Sequence, residues 1–256
     1  MMDKMTVFSN MVVFSSYAMQ VISSFLMLAF IFILYPRAEV SANRINEVLD
    51  TDSSILDGNV TKHNDVKGKI EFKHVSFKYP DSEEYMLEDI SFKAKKGDTV
   101  AFIGSTGSGK STLINLVPRF YDVTSGEILI DDINVKDYNL KTLHEKIGYV
   151  PQKAVIFNDS IINNILYGDA GKKLTKEMGI EASKIAQADD FITKMEKEYN
   201  SHIASGGTNV SGGQKQRISI ARAIARKPEF YIFDDSFSAL DYKTDYILRK
   251  ALKENT

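Results

Sequence analysis

A glycine-rich loop with a lysine and a hydroxyl at fixed spacing is the strongest chemical signal in this chain. It follows the pattern G-x-x-x-x-G-K-[ST] and consists of Gly104, Ser105, Thr106, Gly107, Ser108, Gly109, Lys110 and Ser111, with Thr112 next. Glycines let successive backbone N–H groups turn toward a phosphate, the lysine reaches the β- and γ-phosphates, and the hydroxyl ligates Mg²⁺. The loop therefore predicts a site for a nucleoside triphosphate and Mg²⁺.

The segments on either side of the loop are those that such a site requires. The apolar run 99–103 predicts a buried parallel strand, and 112–117 predicts the start of a helix. The helix N-terminus would add its positive dipole end to the phosphate site. A chance glycine-rich turn is the alternative, and the order of strand, loop and helix argues against it.

A second glycine motif, Ser211, Gly212, Gly213 and Gln214, opens another helix. Ser211 is a favourable N-cap, and Pro228 stops the helix. The two glycines leave this N-terminus open to an anion. Because one triphosphate would not easily use two such sites of the same chain, we expect this one to face another subunit's nucleotide. An ordinary serine-capped helix is the alternative.

A pair of aspartates follows the apolar run 230–233, which predicts a fully buried strand ending at Asp234 and Asp235. In phosphoryl-transfer sites the aspartate at such a strand end holds the Mg²⁺ shell. Ser238 to Asp241, with the sequence SALD, comes next. The order of the phosphate loop, SGGQ, the acidic strand and SALD closely resembles the ATP-binding cassette (ABC) family, and the resemblance covers residues 70–256.

The resemblance implies roles for several other residues. In the family an aromatic side chain ahead of the phosphate loop stacks on adenine, and Tyr79 occupies that place, although it could equally be a packing residue. Gln152 matches the glutamine that senses Mg²⁺ and the membrane domain, and Asp241 matches an aspartate of the dimer contact. The segment 157–165 resembles the surface that grips the membrane domain.

Asp235 departs from the family pattern, which places the catalytic base as a glutamate directly after the metal-binding aspartate. Aspartate is one methylene shorter, so its carboxylate would stop about 1.5 Å short of the attacking water. General-base catalysis needs heavy-atom contact of roughly 2.6–3.2 Å. We therefore expect a degenerate site that binds ATP and hydrolyses it poorly. A small backbone shift that restores the contact is the alternative.

The family also carries a switch histidine beyond the SALD aspartate, and none of the four histidines of this chain matches its position. These residues, which we expect at the surface or in packing roles, are His63, His74, His144 and His202. The resemblance thus implies a chain that is truncated at its C-terminus.

An apolar stretch near the N-terminus predicts a transmembrane helix over about 7–35. About 20 apolar residues span a bilayer, and Arg37, Arg44 and the ATP-binding part lie on one side, which indicates a cytoplasmic C-terminal end. A signal peptide and a buried soluble helix are the alternatives. Small polar residues in its first half are typical of a helix that lines a path or contacts other helices: Ser15, Ser16, Gln20, Ser23 and Ser24.

The domain organisation follows from these segments. Residues 36–50 continue as an amphipathic helix, so that 1–50 resembles the C-terminal end of an ABC exporter's membrane domain. Residues 51–69 are polar and predict a linker. Further transmembrane helices are expected upstream, which makes the chain an interior piece of a multi-pass half-transporter or a gene model that begins at an internal Met.

Composition and local patterns complete the fold prediction. The absence of Cys excludes disulfides and thiolate metal sites, and the net charge of −2 argues against a nucleic-acid partner. A phase slip at Lys73–His74 predicts a bulged antiparallel strand, and Asp131–Asp132 predicts a hairpin turn. We expect an α/β P-loop NTPase core with an antiparallel β edge over 70–256, with a helical subdomain at about 154–227.

The function predicted from the resemblance is the ATP-binding part of a heterodimeric exporter in the cytoplasmic membrane, with ATP and Mg²⁺ bound. Its partners would be a second half-transporter that carries the catalytic glutamate, membrane lipid and a transported substrate, which the sequence does not identify. The chain alone is expected to be nearly inactive. The alternatives are a remnant without transport activity and a soluble ABC ATPase of repair or translation.

Overall fold

The computed structural model describes residues 4–61, 67–168 and 173–255, so His63 lies outside the described residues. The chain divides into two compact units, Met1–Ser54 and Ile55–Thr256. The predicted domain bounds, with a linker at 51–69, stay a prediction.

The first unit is one long helix, α1 (Lys4–Leu49), which contains Pro36 and has no buried residue. It is long and apolar enough to cross a membrane, with a mean hydropathy of 2.1 over its most apolar window. The Ser24 hydroxyl donates to the Gln20 carbonyl oxygen at 2.8 Å, and the Ser16 hydroxyl donates to the Val13 carbonyl oxygen at 3.0 Å. These hydroxyls are therefore satisfied within the helix, which lets serine lie in an apolar surrounding.

The second unit combines strands and helices. In chain order its elements are β1 (Ile70–Phe77), β2 (Leu87–Ala94), α2 (Lys110–Asn115), β3 (Ser125–Ile130), β4 (Ile133–Asn134), α3 (Leu140–Glu145), β5 (Ile147–Val150), β6 (Asp159–Ser160), α4 (Ile161–Ile165), α5 (Lys176–Ile185), α6 (Asp189–Ile192), β7 (His202–Ile203), α7 (Gly212–Ala225), β8 (Phe230–Phe233) and α8 (Tyr242–Asn255).

The first four strands form an antiparallel sheet in the order β2-β1-β3-β4. The pairing of β1 shifts register between Phe72 and Val75, and His74 there has φ 49°, which confirms the predicted bulge. Gly126 in β3 has φ 79°, and a Cβ on it would lie 2.2 Å from the His74 carbonyl oxygen. Only glycine fits the close approach that the bulge creates.

The β3–β4 hairpin turns at Asp131 and Asp132, as predicted, with φ values of 52° and 65°. Both lie in the left-handed region, which aspartate tolerates better than most residues.

Two of the histidines have local partners in the second unit. Nδ1 of the exposed His74 lies 2.7 Å from Asp89 Oδ1, and His144 Nε2 lies 2.8 Å from the Pro118 carbonyl oxygen.

Two apolar clusters form the core of the second unit. One lies against the antiparallel sheet and includes Phe72, Leu116, Ile128, Ile130 and Tyr138. The other joins the helical region to β5 and α8 and includes Ile161, Ile192, Ile203, Ile218 and Leu248. Burial of these side chains stabilises each cluster by about 25 cal/mol per Å² of apolar surface removed from water.

Strands β5 and β8 pair in parallel. Gln152 follows the carboxyl end of β5, and Asp234 and Asp235 follow the carboxyl end of β8. β5 is mostly buried, but every residue of β8 is only half-buried. The structure confirms a strand at 230–233, but the prediction that this strand is fully buried is wrong. Among the described residues β8 pairs only with β5.

The prediction of a buried strand at 99–103 is also wrong. These residues form no strand; Val100 is 45 % and Ile103 is 97 % exposed. A strand requires a hydrogen-bonded neighbour, and within the described residues no strand pairs with this run. The Phe102 ring packs edge-on against the Phe92 ring, with centroids 5.3 Å apart.

Part of the predicted linker is attached to the second unit by hydrogen bonds. Gly58 N donates to the Tyr138 carbonyl oxygen at 3.0 Å, and Val60 N donates to the Asp137 carbonyl oxygen at 2.9 Å. The Asp57 carboxylate accepts from Leu140 N at 2.7 Å. Residues 57–60 therefore belong structurally to the second unit.

Candidate functional site

The glycine-rich loop is closed around the lysine side chain. Lys110 Nζ donates to the carbonyl oxygens of Gly104 at 2.8 Å and of Ser105 at 2.7 Å. Gly107 and Gly109 have φ values of 84° and 83°, in the left-handed region that glycine adopts without strain. The loop thus holds the lysine ammonium group by its carbonyl oxygens, and a phosphate would be bound by this ammonium group and by loop N–H groups.

Ser111 and Asp234 meet at the end of this loop. The Ser111 hydroxyl donates to Asp234 Oδ1 at 2.8 Å, so the structure brings together two of the three residues predicted at the Mg²⁺ site, the third being Gln152. Hydroxyl and carboxylate oxygens suit this hard cation, which usually keeps water and phosphate oxygens as its other ligands. The described residues hold no cluster of three or more His, Cys, Asp or Glu side chains that could bind a metal by themselves. The donor set therefore fits Mg²⁺ bound together with a nucleotide.

Asp235 and Gln152 are also brought together, one from each parallel strand. Gln152 Nε2 donates to Asp235 Oδ2 at 3.3 Å. Asp235 has φ 43°, a left-handed backbone conformation that is strained for most residues other than glycine. The amide and the carboxylate thus meet beyond the carboxyl ends of β5 and β8.

Tyr79 lies beside the phosphate loop and has two kinds of contact. Its hydroxyl lies 3.0 Å from Thr112 Oγ1, and its ring packs edge-on against Phe77 at 4.9 Å and Tyr121 at 5.3 Å. The ring is therefore both part of an aromatic cluster and adjacent to the loop. Its predicted contact with adenine stays a prediction, and Tyr121 is a neighbour that the sequence did not single out.

The second glycine motif forms a capping box at the start of α7. Ser211 Oγ accepts from Gln214 N at 3.3 Å, while Gln214 Oε1 accepts from Ser211 N at 2.8 Å. A Cβ added at Gly212 would meet no atom within 4 Å, whereas one at Gly213 would lie 3.0 Å from the Ala239 carbonyl oxygen. Gly212 therefore presents open backbone, and Gly213 packs on the SALD turn of the same chain.

Asp241 has a structural role that the sequence did not reveal. Its carboxylate accepts from Thr244 N at 3.0 Å and from the Thr244 hydroxyl at 2.7 Å at the start of α8. These hydrogen bonds hold the pKa of the Asp241 carboxyl below its usual range. The predicted contact of Asp241 with a second subunit stays a prediction.

The comparison with known families decides which fold carries these motifs. A family model described as "ABC transporter" matches residues 87–238, which include the phosphate loop, the SGGQ helix and both aspartates of the β8 end. The chain belongs to the ABC transporter family. Its second unit is accordingly an ATP-binding domain with the P-loop NTPase fold.

Relatives of this ABC domain include exporters. The chain is 41 % identical over 244 residues to an uncharacterised ABC transporter ATP-binding protein of Bacillus subtilis, covering 95 % of this chain and 42 % of the relative. It is 45 % identical over 207 residues to a multidrug export ATP-binding/permease protein of Staphylococcus aureus, covering 80 % of this chain and 36 % of the relative. The chain thus spans less than half the length of these relatives.

A solved structure shares the architecture of the ABC chain. It is described as a bacterial Atm1-family ABC exporter with ATP bound and has a TM-score of 0.83 at 30 % identity, covering 96 % of this chain and 43 % of that one. The likeness extends beyond the ATP-binding domain, because the covered share includes most of α1.

Tyr149 is a further residue of the ABC site that the motifs did not reveal. It lies in β5, and its hydroxyl donates to Asn115 Oδ1 in α2 at 2.8 Å. Burial and the nearby negative charge of Asp234 raise the pKa of Tyr149 to about 12. The phenol is therefore neutral and links the helix of the phosphate loop to the strand before Gln152. The only sequence signal was an aromatic residue within an otherwise aliphatic strand.

Proposed function

We propose that this chain is the ATP-binding part of a heterodimeric ABC exporter in which its own nucleotide site hydrolyses ATP poorly. The observation that carries the proposal is Asp235, which stands directly after Asp234 where a catalytic glutamate is expected. The hydrogen bond of 3.3 Å from Gln152 supports a role of Asp235 near the attacking water. The side chain of Asp235 is still one methylene shorter than that of the expected glutamate.

The size of the expected defect follows from this geometry. Displacement of a catalytic group by about 1 Å can reduce the rate on the order of 100-fold. Binding does not depend on that group, because Lys110 and Ser111 meet the phosphates and the metal. The chain's own site would then hold ATP for many turnovers of the other site.

Two ATP-binding domains would close head to tail, with each nucleotide between the phosphate loop of one chain and the SGGQ helix of the other. Lys110, Ser111 and Asp234 would hold the triphosphate and Mg²⁺, with Tyr79 against the base. The open backbone at Gly212 would complete the partner's site. ATP, when bound, supplies the free energy that switches the membrane helices between inward and outward access.

The location of the protein follows from α1 and the exporter relatives. Helix α1 would cross the membrane in contact with lipid and with further helices of a multi-pass transporter, and the ATP-binding domain would face the cytoplasm. The name of the Staphylococcus aureus relative, a multidrug export protein, supports export as the direction of transport. Helix α1 alone carries no side-chain pattern that indicates the class of substrate.

The test compares the two acidic positions in the assembled transporter. Asp235→Asn in this chain should lower ATP turnover less than about threefold, whereas Glu→Gln at the matching position of the partner should reduce it on the order of 100-fold or more. Photolabelling with an ATP analogue serves as the control that both variants still bind nucleotide. If Asp235→Asn alone stops hydrolysis, Asp235 is a working base and the degenerate-site proposal fails.

A further inference from the structure

Arg222 lies on α7, ten residues beyond Gly212, and connects this helix to a different part of the domain. Its guanidinium makes three hydrogen bonds, all to the segment between β5 and α5. Nε donates to the Asn164 carbonyl oxygen at 2.7 Å, Nη1 to the Val155 carbonyl oxygen at 2.9 Å, and Nη2 to Asn164 Oδ1 at 3.2 Å. One planar fork thereby holds both ends of 155–164.

Two aromatic rings cover the same guanidinium. Phe157 and Tyr167 stack on each other with centroids 4.0 Å apart, and the Arg222 carbon lies 5.3 Å and 5.7 Å from their centroids. Burial lowers the pKa of Arg222 to about 10, so the side chain is still a cation at neutral pH. Cation–π attraction to both rings adds to the three hydrogen bonds.

Asn164 makes the held segment rigid. It is 1 % exposed, and its Nδ2 donates to the carbonyl oxygens of Phe157 and Ser160, both at 3.0 Å. Its Oδ1 accepts from Phe157 N at 2.8 Å as well as from Arg222. The turn before α4 and the guanidinium thus share one buried amide, so neither can move without the other.

The outer side of the same segment faces solvent. Val155 is 56 % exposed and Tyr167 is 53 % exposed, while Arg222 holds the carbonyl oxygens of Val155 and Asn164. We name the outer face of Val155, Phe157 and Tyr167 the aromatic surface. It overlaps the segment whose sequence resembles the family's grip on the membrane domain.

We propose that Arg222 is a positioning residue that carries movement of the signature helix α7 to the aromatic surface. The inference rests on the proposed function, because it needs the aromatic surface to contact the membrane domain. Helix α7 has no proline or glycine after Gly213, so its N-terminus and Arg222, about 15 Å apart along the axis, move as one body. Displacement of the SGGQ end by a nucleotide would therefore displace the guanidinium and the segment that it holds.

Lysine cannot replace Arg222 in this role. Its ammonium keeps the charge near the rings, but a single nitrogen cannot span the three acceptors that the three guanidinium nitrogens reach. Arg222→Lys should therefore leave nucleotide binding intact and weaken the transmission of movement, whereas a merely structural role would reduce both together.

The experiment uses the absence of Cys from this chain. With Ser23→Cys in α1 as its sole thiol, the rate of maleimide labelling is measured in membranes that contain the assembled transporter, with and without MgATP. We expect the ATP-dependent change in rate to fall about 3- to 30-fold in Arg222→Lys, with unchanged photolabelling by an ATP analogue. Arg249→Lys is the matched control, because Arg249 also lies over an aromatic ring, Phe237 at 4.3 Å, but at the surface.

The outcomes separate this inference from the function on which it rests. If the parent chain binds ATP but shows no ATP-dependent labelling, the exporter proposal fails and takes the inference with it. If the parent responds and Arg222→Lys responds equally, only the inference is overturned. Should Arg222→Lys lose nucleotide binding through misfolding, Phe157→Leu decides, since it removes the stacked ring and keeps the backbone acceptors. An unchanged response there overturns the inference, and a weakened response supports it.

Discussion

The Ser111 hydroxyl donates a 2.8 Å hydrogen bond to Asp234 Oδ1 and so joins residues that are 123 positions apart in the chain. One comes from the phosphate loop and the other from the end of β8, so the fold alone places a hydroxyl and a carboxylate at one point. Both are oxygen donors that Mg²⁺ accepts. The pair therefore links nucleotide binding to metal binding. Substitution of either residue should weaken the part of ATP binding that depends on Mg²⁺.

Ser111→Ala should reduce ATP binding only when Mg²⁺ is present. Loss of one metal ligand weakens the metal-dependent part about 10- to 100-fold, whereas Lys110 still meets the phosphates. Binding of a fluorescent ATP analogue is measured in MgCl₂ and in EDTA. We expect wild-type binding to fall in EDTA to the level of the variant, and an equal loss for the variant in both conditions would contradict the assignment.

Lys110→Ala should weaken ATP binding in both conditions. It removes the only cation of the loop, and a charge-assisted hydrogen bond contributes about 1.5–3 kcal/mol, which corresponds to roughly 10- to 100-fold in affinity. Photolabelling with an azido-ATP analogue measures the effect. Lys250→Ala is the control, because this exposed lysine pairs only at 4.0 Å with Glu254 on α8. Undiminished labelling of Lys110→Ala would remove the basis of the site.

Gly212→Asp should damage the nucleotide site of the partner without destabilising this chain. The position is open, with no atom within 4 Å of an added Cβ, and aspartate is favourable in the first turn of a helix. A carboxylate facing a triphosphate should lower ATP turnover of the assembled pair about 10- to 100-fold. Thermal unfolding of the variant is the control and should match the parent. Unchanged turnover would show that α7 does not face a nucleotide.

The parts of the site that the sequence predicted are those encoded by local chemistry. Lys110 and Ser111 lie within one loop whose spacing indicates their role, and Ser211 is predicted as an N-cap because its side chain can reach a backbone N–H of the same turn. Neither prediction depends on what packs around the segment, and the structure shows Ser211 Oγ accepting from Gln214 N as an N-cap does.

The parts that the sequence did not predict depend on distant neighbours. The run 99–103 has the composition of a buried strand, but burial is decided by adjacent strands and not by the run itself. Arg222 is one arginine in a helix rich in Ala and Ile, and its acceptor Asn164 lies 58 positions away. Tyr149 likewise gains its role only from Asn115 in another element. The residue pattern of a single segment does not indicate such contacts with distant segments.

Lys146→Met should destabilise the second unit by about 3–5 kcal/mol, the usual cost of breaking a buried ion pair from one side. Lys146 Nζ lies 2.7 Å from Asp131 Oδ2 and 2.8 Å from Glu229 Oε2, and the side chains of Lys146 and Asp131 are fully buried. Urea unfolding measures the loss. Adding Asp131→Asn should recover part of it, because no buried carboxylate is then left at that position. Lys250→Met, at an exposed pair, is the control and should change stability by less than about 1 kcal/mol.

Asp235→Glu should increase ATP hydrolysis at the site of this chain. The added methylene brings the carboxylate about 1.5 Å closer to the attacking water, which restores the contact that general-base catalysis requires. We expect turnover at this site to rise at least about tenfold, since Lys110, Ser111 and Asp234 already hold the nucleotide and metal. The measurement is the ATPase rate of the assembled pair with the partner's glutamate changed to glutamine, so that only this site contributes.

The matched control for that gain is Asp235→Gln, which has the length of glutamate without a base. Its turnover should stay at the background of the parent pair, because an amide cannot take the proton from water. A gain in both variants would mean that side-chain length acts through the strained backbone at φ 43° and not through proton transfer. No gain in Asp235→Glu would show that the carboxylate of Asp235 already reaches the water, and the low activity would then need another cause.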